Sequence, residues 1–312
     1  MSELLKNIDA RTKLAGTNKL EILLFSLGTD QRSGRNESFG INVFKVREVM
    51  RAPQITRAPE MPEAVEGMVS LRGILVPVID IAKYAGIVTE KKPEILIVTE
   101  YNGRTQGFLV EAVDIILRLD WSAMKVPPEM LTAKMGGLVT AVTELEGGRL
   151  VMLLDVEKIL SETSHFDDSH LFVGIEPLGV KRTVFFADDS TVARHQIETT
   201  LKAMNIDYIS AINGKQAWEE LQLLASRAEA THTPLKEIVN LILTDVEMPE
   251  MDGYLLTRKI KSDHRFEGIP VIMHSSLSGS SNQQLGQSVG VDEYVSKFEP
   301  HKLAATLTRL LA

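Results

Sequence analysis

Six polar residues stand directly after apolar runs in the second half of the chain. Asp188 and Asp189 follow TVFFA, Asp245 follows VNLILT, Ser275 and Ser276 follow VIMH, and Lys297 follows EYVS. If those runs are parallel strands of one sheet, their carboxyl ends share a rim, and that rim is where such sheets bind ligands. Three acids gathered on it repel one another, which protonation or a divalent cation relieves. An all-oxygen donor set suits Mg²⁺, an ion that shares its coordination with phosphate oxygens. Asp245 is then a candidate nucleophile, accepting a phosphoryl group as an acyl phosphate. The Lys297 ammonium would neutralise phosphate charge, and the Ser275 hydroxyl would donate a hydrogen bond to it. Singly, each residue has a plainer reading: helix cap, solvated charge, loop hydroxyl. Their joint placement at successive strand ends is what favours phosphoryl chemistry.

The elements that must position them follow from hydrophobic periodicity. Strands are expected at Thr183 to Ala187, Tyr208 to Ala211, Val239 to Thr244, Val271 to His274 and Glu293 to Ser296. Helical spacing of Val192, Ile197, Leu201 and Met204, of Ala217, Leu221 and Leu224, and of Leu303, Leu307 and Leu310 places helices between and after them. Five strands alternating with helices imply an α/β domain with a doubly wound parallel sheet, over residues 182–312.

The strings FFADDS, LILTDVEMPEMDGYLL, PVIMHSS and EYVSK, in this order, resemble the receiver domains of two-component response regulators. The resemblance implies that Asp188 and Asp189 are the acidic metal pair, with Asp245 as phosphoacceptor and the backbone carbonyl of Glu247 completing the Mg²⁺ site. It further implies Ser275 as the switch hydroxyl, Lys297 as the phosphate contact and Tyr294 as the switch aromatic. Two features depart from the family pattern. Phe298 follows the lysine where most receivers have a cis proline, and the segment from Leu223 to Glu237 is long.

The first half reads differently. Leu20 to Leu27, Ile74 to Ile79, Glu94 to Thr99, Gln106 to Val113, Leu138 to Thr143 and Leu150 to Leu154 are strand-like, and Asn102-Gly103 and Gly147-Gly148 are hairpin signals. Helical candidates are Phe44 to Met50 and Val156 to Leu160. Before Ser161 there is no histidine, no GxSxG, no HExxH and no P-loop, so a binding module is expected rather than an enzyme. Residues 166–181 are polar and aperiodic and read as a linker, part of which could be a helix on the first domain.

FGINVFKVREVM and ITRAPEMPEAVEGMVSLRGILVPVIDI resemble CheW-like domains, which link chemoreceptors to the histidine kinase CheA. That resemblance implies an all-β pair of five-stranded barrels over residues 1–165, with Val46, Glu48, Gly67 and Arg72 at positions that contact kinase or receptor. Val46 and Gly67 also have simple structural readings, as a core valine and a turn glycine. Adaptor followed by receiver resembles the CheV coupling proteins. The resemblance implies a non-enzymatic chemotaxis adaptor whose coupling is modulated by phosphorylation of Asp245, or alternatively a phosphate sink that the adaptor merely localises.

Composition is compatible with both halves. The 312 residues suit two domains, and 34 basic against 42 acidic residues leave a net charge of −8, which argues against a nucleic-acid partner. Without cysteine there is no disulfide or thiolate site, and no apolar run nears the ~20 residues that span a bilayer. A cytoplasmic protein, associated with receptor arrays, is expected.

Overall fold

The computed structural model describes residues 19–57, 59–101, 104–128, 138–163, 171–276, 286–297 and 299–312. The chain forms two compact units, one built on Leu20–Leu119 and Ala123–Phe166, the other on Asp167–Ala312.

The first unit holds two five-stranded sheets. One contains β1 (Lys19–Ser26), β2 (Ser38–Asn42), β8 (Ala112–Asp120), β9 (Val139–Glu144) and β10 (Leu150–Leu154), in the order β8-β1-β2-β10-β9. The other contains β3 (Val46–Arg51), β4 (Val65–Leu71), β5 (Ile74–Asp80), β6 (Ile95–Tyr101) and β7 (Arg104–Val110), in the order β3-β6-β7-β5-β4. Each sheet curls until its edges meet. Beyond β3, Thr56 exchanges backbone hydrogen bonds of 2.9 and 2.8 Å with Met68 on the opposite edge strand, and Lys125, beyond β8, does the same with Val142 on β9 at 2.8 Å. Closure of this kind removes exposed strand edges.

Alternation supplies the cores. Val69, Val76, Val78, Leu96, Val98 and Leu109 form one buried cluster. A second draws Phe25, Phe39, Ile41, Ile79, Ile97 and Phe108 from both sheets. Gly147 and Gly148 turn the β9–β10 hairpin with φ of 87° and 81°, values open to glycine at little cost. The Asn102-Gly103 signal lies outside the described residues.

Two local expectations are corrected. Phe44 to Met50 is not a helix: a single 3₁₀ turn, Val43–Lys45, leads into strand β3. A bulge between Val46 and Glu48 shifts the alternation against β6, so the apolar residues Val46, Val49 and Met50 fall at helix-like intervals on a strand. The run Gln106 to Val113 is two strands, with β7 ending at Val110 and β8 starting at Ala112. After a one-turn helix α1 (Ile81–Tyr84), the unit closes with α2 (Val156–Thr163), which includes the expected Val156 to Leu160.

The second unit is a five-stranded parallel sheet of β11 (Thr183–Ala187), β12 (Asp207–Ala211), β13 (Leu241–Thr244), β14 (Val271–Ser275) and β15 (Glu293–Ser296), in the order β12-β11-β13-β14-β15. Helices α3 (Thr191–Ala203), α4 (Gly214–Thr231), α5 (Leu235–Ile238), α6 (Gly253–Ser262) and α7 (Pro300–Leu311) cover it. Adjacent Phe185 and Phe186 on β11 face opposite sides. Phe185 joins the α4–α6 core with Ile242 and Val271, and Phe186 joins the α3–α7 core with Leu243 and Val295. All four residues of β13 are buried, which is why it reads as a continuous apolar run.

In the stretch read as linker, Ile175 and Leu178 pack on the α3–α7 core, and the Leu178 N–H donates to the Met204 carbonyl at 2.8 Å. The long segment after Leu223 is mostly helix: α4 runs on to Thr231, His232 caps it in the left-handed conformation, and α5 follows.

Candidate phosphoryl site of the receiver

The strand order reverses direction at β11, and the loops after β11 and β13 flank that switch point. Asp188 and Asp189 begin the first loop and Asp245 the second. One carboxylate oxygen from each lies within 4.8 Å of the other two. Backbone bonds fix the acids in place. The Asp245 N–H donates to the Ala187 carbonyl at 2.8 Å, and the Ser190 N–H donates to the Asp188 carboxylate at 2.9 Å. Ser190 then caps α3 through the Ala193 N–H, so the acidic pair is anchored to a helix start.

Lys297, just beyond β15, reaches across the rim. Its Nζ stands 2.8 Å from Asp188 Oδ2 and 2.9 Å from Asp245 Oδ2, with all three side chains almost fully buried. Its own N–H donates to the Ser275 carbonyl at 3.0 Å, tying the ends of β14 and β15 together beneath the site. Three carboxylates against one ammonium leave two formal negative charges, with Asp188 and Asp245 buried and Asp189 half-buried. A divalent cation would balance that charge, and the oxygen-only donor set fits a hard ion such as Mg²⁺.

The remaining expected residues border this cluster. Ser275 is buried at the end of β14, and its side chain is hydrogen bonded to the hydroxyl of Tyr294 on β15. Burial, more than any neighbour, holds the Tyr294 phenol above its ordinary range. Glu247 is half-buried two residues beyond Asp245. Phe298 lies outside the described residues.

Residues 21–164 match the CheW-like domain, and residues 184–308 match the response regulator receiver domain. Over 279 residues the chain is 30% identical to chemotaxis protein CheV3 of Helicobacter pylori, with 88% of each chain covered. Over 333 residues it is 27% identical to CheV1 of the same organism, covering 100% of this chain and 99% of that one. The chain belongs to the CheV family. The chain is also 34% identical over 153 residues to chemotaxis protein CheW of Klebsiella aerogenes, covering 48% of this chain and 87% of the relative. As a CheV protein it is a chemotaxis coupling adaptor that carries a receiver domain.

Two residues that shape this CheV site escaped the sequence reading. Arg194 Nη1 donates to the backbone carbonyls of both Asp188 and Asp189, each at 2.9 Å, and so holds the acidic loop from the first turn of α3. Gly253 packs so tightly that a Cβ there would stand 2.0 Å from the Asp245 carbonyl oxygen. The glycine was visible in the MPEMDG string, but the contact that requires it is tertiary. Asp252 caps α6 by accepting the Leu255 N–H at 2.7 Å, and burial raises its carboxyl to about 6.

In the adaptor unit, Val46 is buried at the start of β3. Glu48 on β3 and Arg72 in the β4–β5 turn belong to opposite edges of their sheet, yet their side chains pair at 2.8 Å across the closure. Gly67 lies at a bulge in β4 with φ of 143°, and a Cβ there would meet the Thr56 carbonyl oxygen at 2.3 Å. Its place in the fold is therefore backbone packing at the barrel seam, whatever else it does.

Proposed function

We propose that this CheV protein couples chemoreceptors to the histidine kinase CheA through its adaptor unit, and that phosphorylation of Asp245 adjusts that coupling. The observation that carries the reading is the buried Lys297 ammonium held between Asp188 and Asp245 beside Asp189. Such a site keeps a carboxylate nucleophile and a phosphate-binding cation together, away from bulk water.

In the proposed step, an Asp245 carboxylate oxygen attacks the phosphorus of a phosphohistidine on CheA. An O–P bond forms as the P–N bond breaks, and the imidazole leaves with the bonding pair. Asp188, Asp189, Asp245 and the Glu247 backbone carbonyl would hold Mg²⁺, whose charge offsets that of the phosphoryl oxygens. Lys297 pairs with one of those oxygens, and the Ser275 hydroxyl donates to another. Turning toward the phosphoryl group releases Ser275 from Tyr294, which transmits the change. The chain performs no other catalysis in this reading.

Val46, Glu48, Gly67 and Arg72 are proposed to form or shape the kinase and receptor contacts of the adaptor. No described helix is long and apolar enough to cross a membrane. We place the protein in the cytoplasm, at receptor arrays.

A reconstituted receptor–kinase assembly tests the proposal. Wild-type protein should change kinase output once phosphorylated, whereas Asp245→Asn should couple constitutively. If Asp245→Asn alters only the rate of phosphate loss from CheA and leaves coupling identical, the receiver is a phosphate sink instead.

A further inference from the structure

Beneath the phosphoryl site, Val246, Tyr254, Met273 and Val289 form a small buried cluster, with Val291 and Tyr294 packed against it. Tyr254 enters from the first turn of α6. It is only 2% exposed, and its hydroxyl has no hydrogen-bond partner among the described residues. Buried hydroxyls are nearly always paired, and phenylalanine would fill most of the same volume without that penalty. A tyrosine here is explained if its hydroxyl finds a partner in a second state of the protein.

Tyr294 is the neighbour able to supply one. It packs on the same cluster, and its hydroxyl is bonded to the Ser275 side chain. Burial first, and then the nearby carboxylates of Glu247, Asp252 and Asp245, hold the Tyr254 phenol above its ordinary range, so its hydroxyl lies within electrostatic reach of the site. A serine hydroxyl carries one proton. Once that proton is committed to a phosphoryl oxygen, Ser275 cannot also donate it to Tyr294.

We propose that Tyr254 is a second aromatic of the switch: when Ser275 turns to a phosphoryl group on Asp245, the Tyr294 hydroxyl exchanges its bond with Ser275 for one with Tyr254. The exchange rests on the phosphoryl-switch reading above. Tyr254 touches neither phosphate nor metal ligands in this account. It is a positioning residue that stabilises the phosphorylated arrangement by satisfying a hydroxyl left unpaired in the resting one.

The full chain contains five tyrosines, so fluorotyrosine labelling gives a countable ¹⁹F spectrum. Tyr→Phe substitution at each of the other four positions assigns the Tyr254 signal. The probe is beryllofluoride with Mg²⁺, a phosphoryl mimic. In wild type, the Tyr254 and Tyr294 signals should shift together and saturate at the same concentration. In Tyr254→Phe the Tyr294 shift should need roughly three- to tenfold more beryllofluoride, the equivalent of one net hydrogen bond. If Tyr294 shifts while Tyr254 stays still, or if Tyr254→Phe titrates as wild type, the exchange is wrong and the phosphoryl switch stands. If no tyrosine signal responds in wild type, both fall. The wild-type Tyr254 signal is read without altering that residue, so the test survives a poorly folding Tyr254 variant.

Discussion

Gly253 lies against Asp245 so closely that a Cβ on the glycine would stand 2.0 Å from the aspartate's carbonyl oxygen. Gly214 makes a similar approach to Met251, where a Cβ would come within 2.2 Å of the carbonyl oxygen. Together the two glycines set the path of the loop that carries Asp245 to α6. Gly253→Ala should therefore cost about 1–3 kcal/mol of receiver stability through forced backbone displacement. It should also slow phosphoryl uptake. Gly179→Ala, where a Cβ would meet nothing within 4 Å, should shift the urea midpoint little and serves as the control.

Lys297 is the cation that two buried carboxylates share, so its removal leaves them uncompensated. Lys297→Met should destabilise the metal-free protein by several kcal/mol, roughly 3–5 by analogy with broken buried ion pairs. Mg²⁺ should recover more stability in this variant than in wild type, because the acids then depend on the metal alone. Thermal unfolding with and without Mg²⁺ measures both effects. A loss that Mg²⁺ does not reduce would contradict a metal site at these aspartates.

Asp252 gives the receiver a pH dependence with a definite sign. Burial raises its folded carboxyl from 3.8 to about 6, so between those values the folded protein binds more protons than the unfolded chain. Its contribution is fully present below the unfolded value and declines as pH rises through about 6. Asp252→Asn keeps a side-chain acceptor for the Leu255 N–H and removes the titration. Between pH 4 and 7 the variant should gain stability relative to wild type, on the order of 3 kcal/mol across the window. Parallel unfolding curves of the two proteins at every pH would refute this.

For Arg72, an effect on stability and an effect on the proposed partner contact can be told apart. The Arg72 side chain is 69% exposed, and exposed pairs contribute at most about 1 kcal/mol. Arg72→Ala should thus barely alter unfolding while weakening binding to CheA or receptor. Gly67→Ala should do the reverse in order of severity, since the Thr56 carbonyl blocks its Cβ and the seam must open first. Unfolding and pull-down of both variants, run side by side, test the distinction.

The receiver half was more legible in the sequence than the adaptor half for a physical reason. Parallel strands buried on both faces are short apolar runs, and β11, β13 and β14 stood out as such. Their polar endings pointed to the rim on which Asp188, Asp189, Asp245 and Lys297 converge. In the adaptor, β3 and β4 each carry a bulge, which breaks the two-residue period that reveals a strand. That is why Phe44 to Met50 resembled a helix, and why β4 passed unnoticed. Arg194, Gly253 and Tyr254 were invisible as site residues because their importance lies in contacts that only the folded chain creates.

Asp245 is proposed to accept a phosphoryl group within the Lys297–Asp188–Asp245 cluster. Incubation of the full chain with Mg²⁺ and radiolabelled phospho-CheA, beside Asp245→Asn, measures this directly. Label should pass to wild type, not to the variant, and not when Mg²⁺ is chelated. Absence of transfer to folded wild-type protein, or equal labelling of the two, would contradict it.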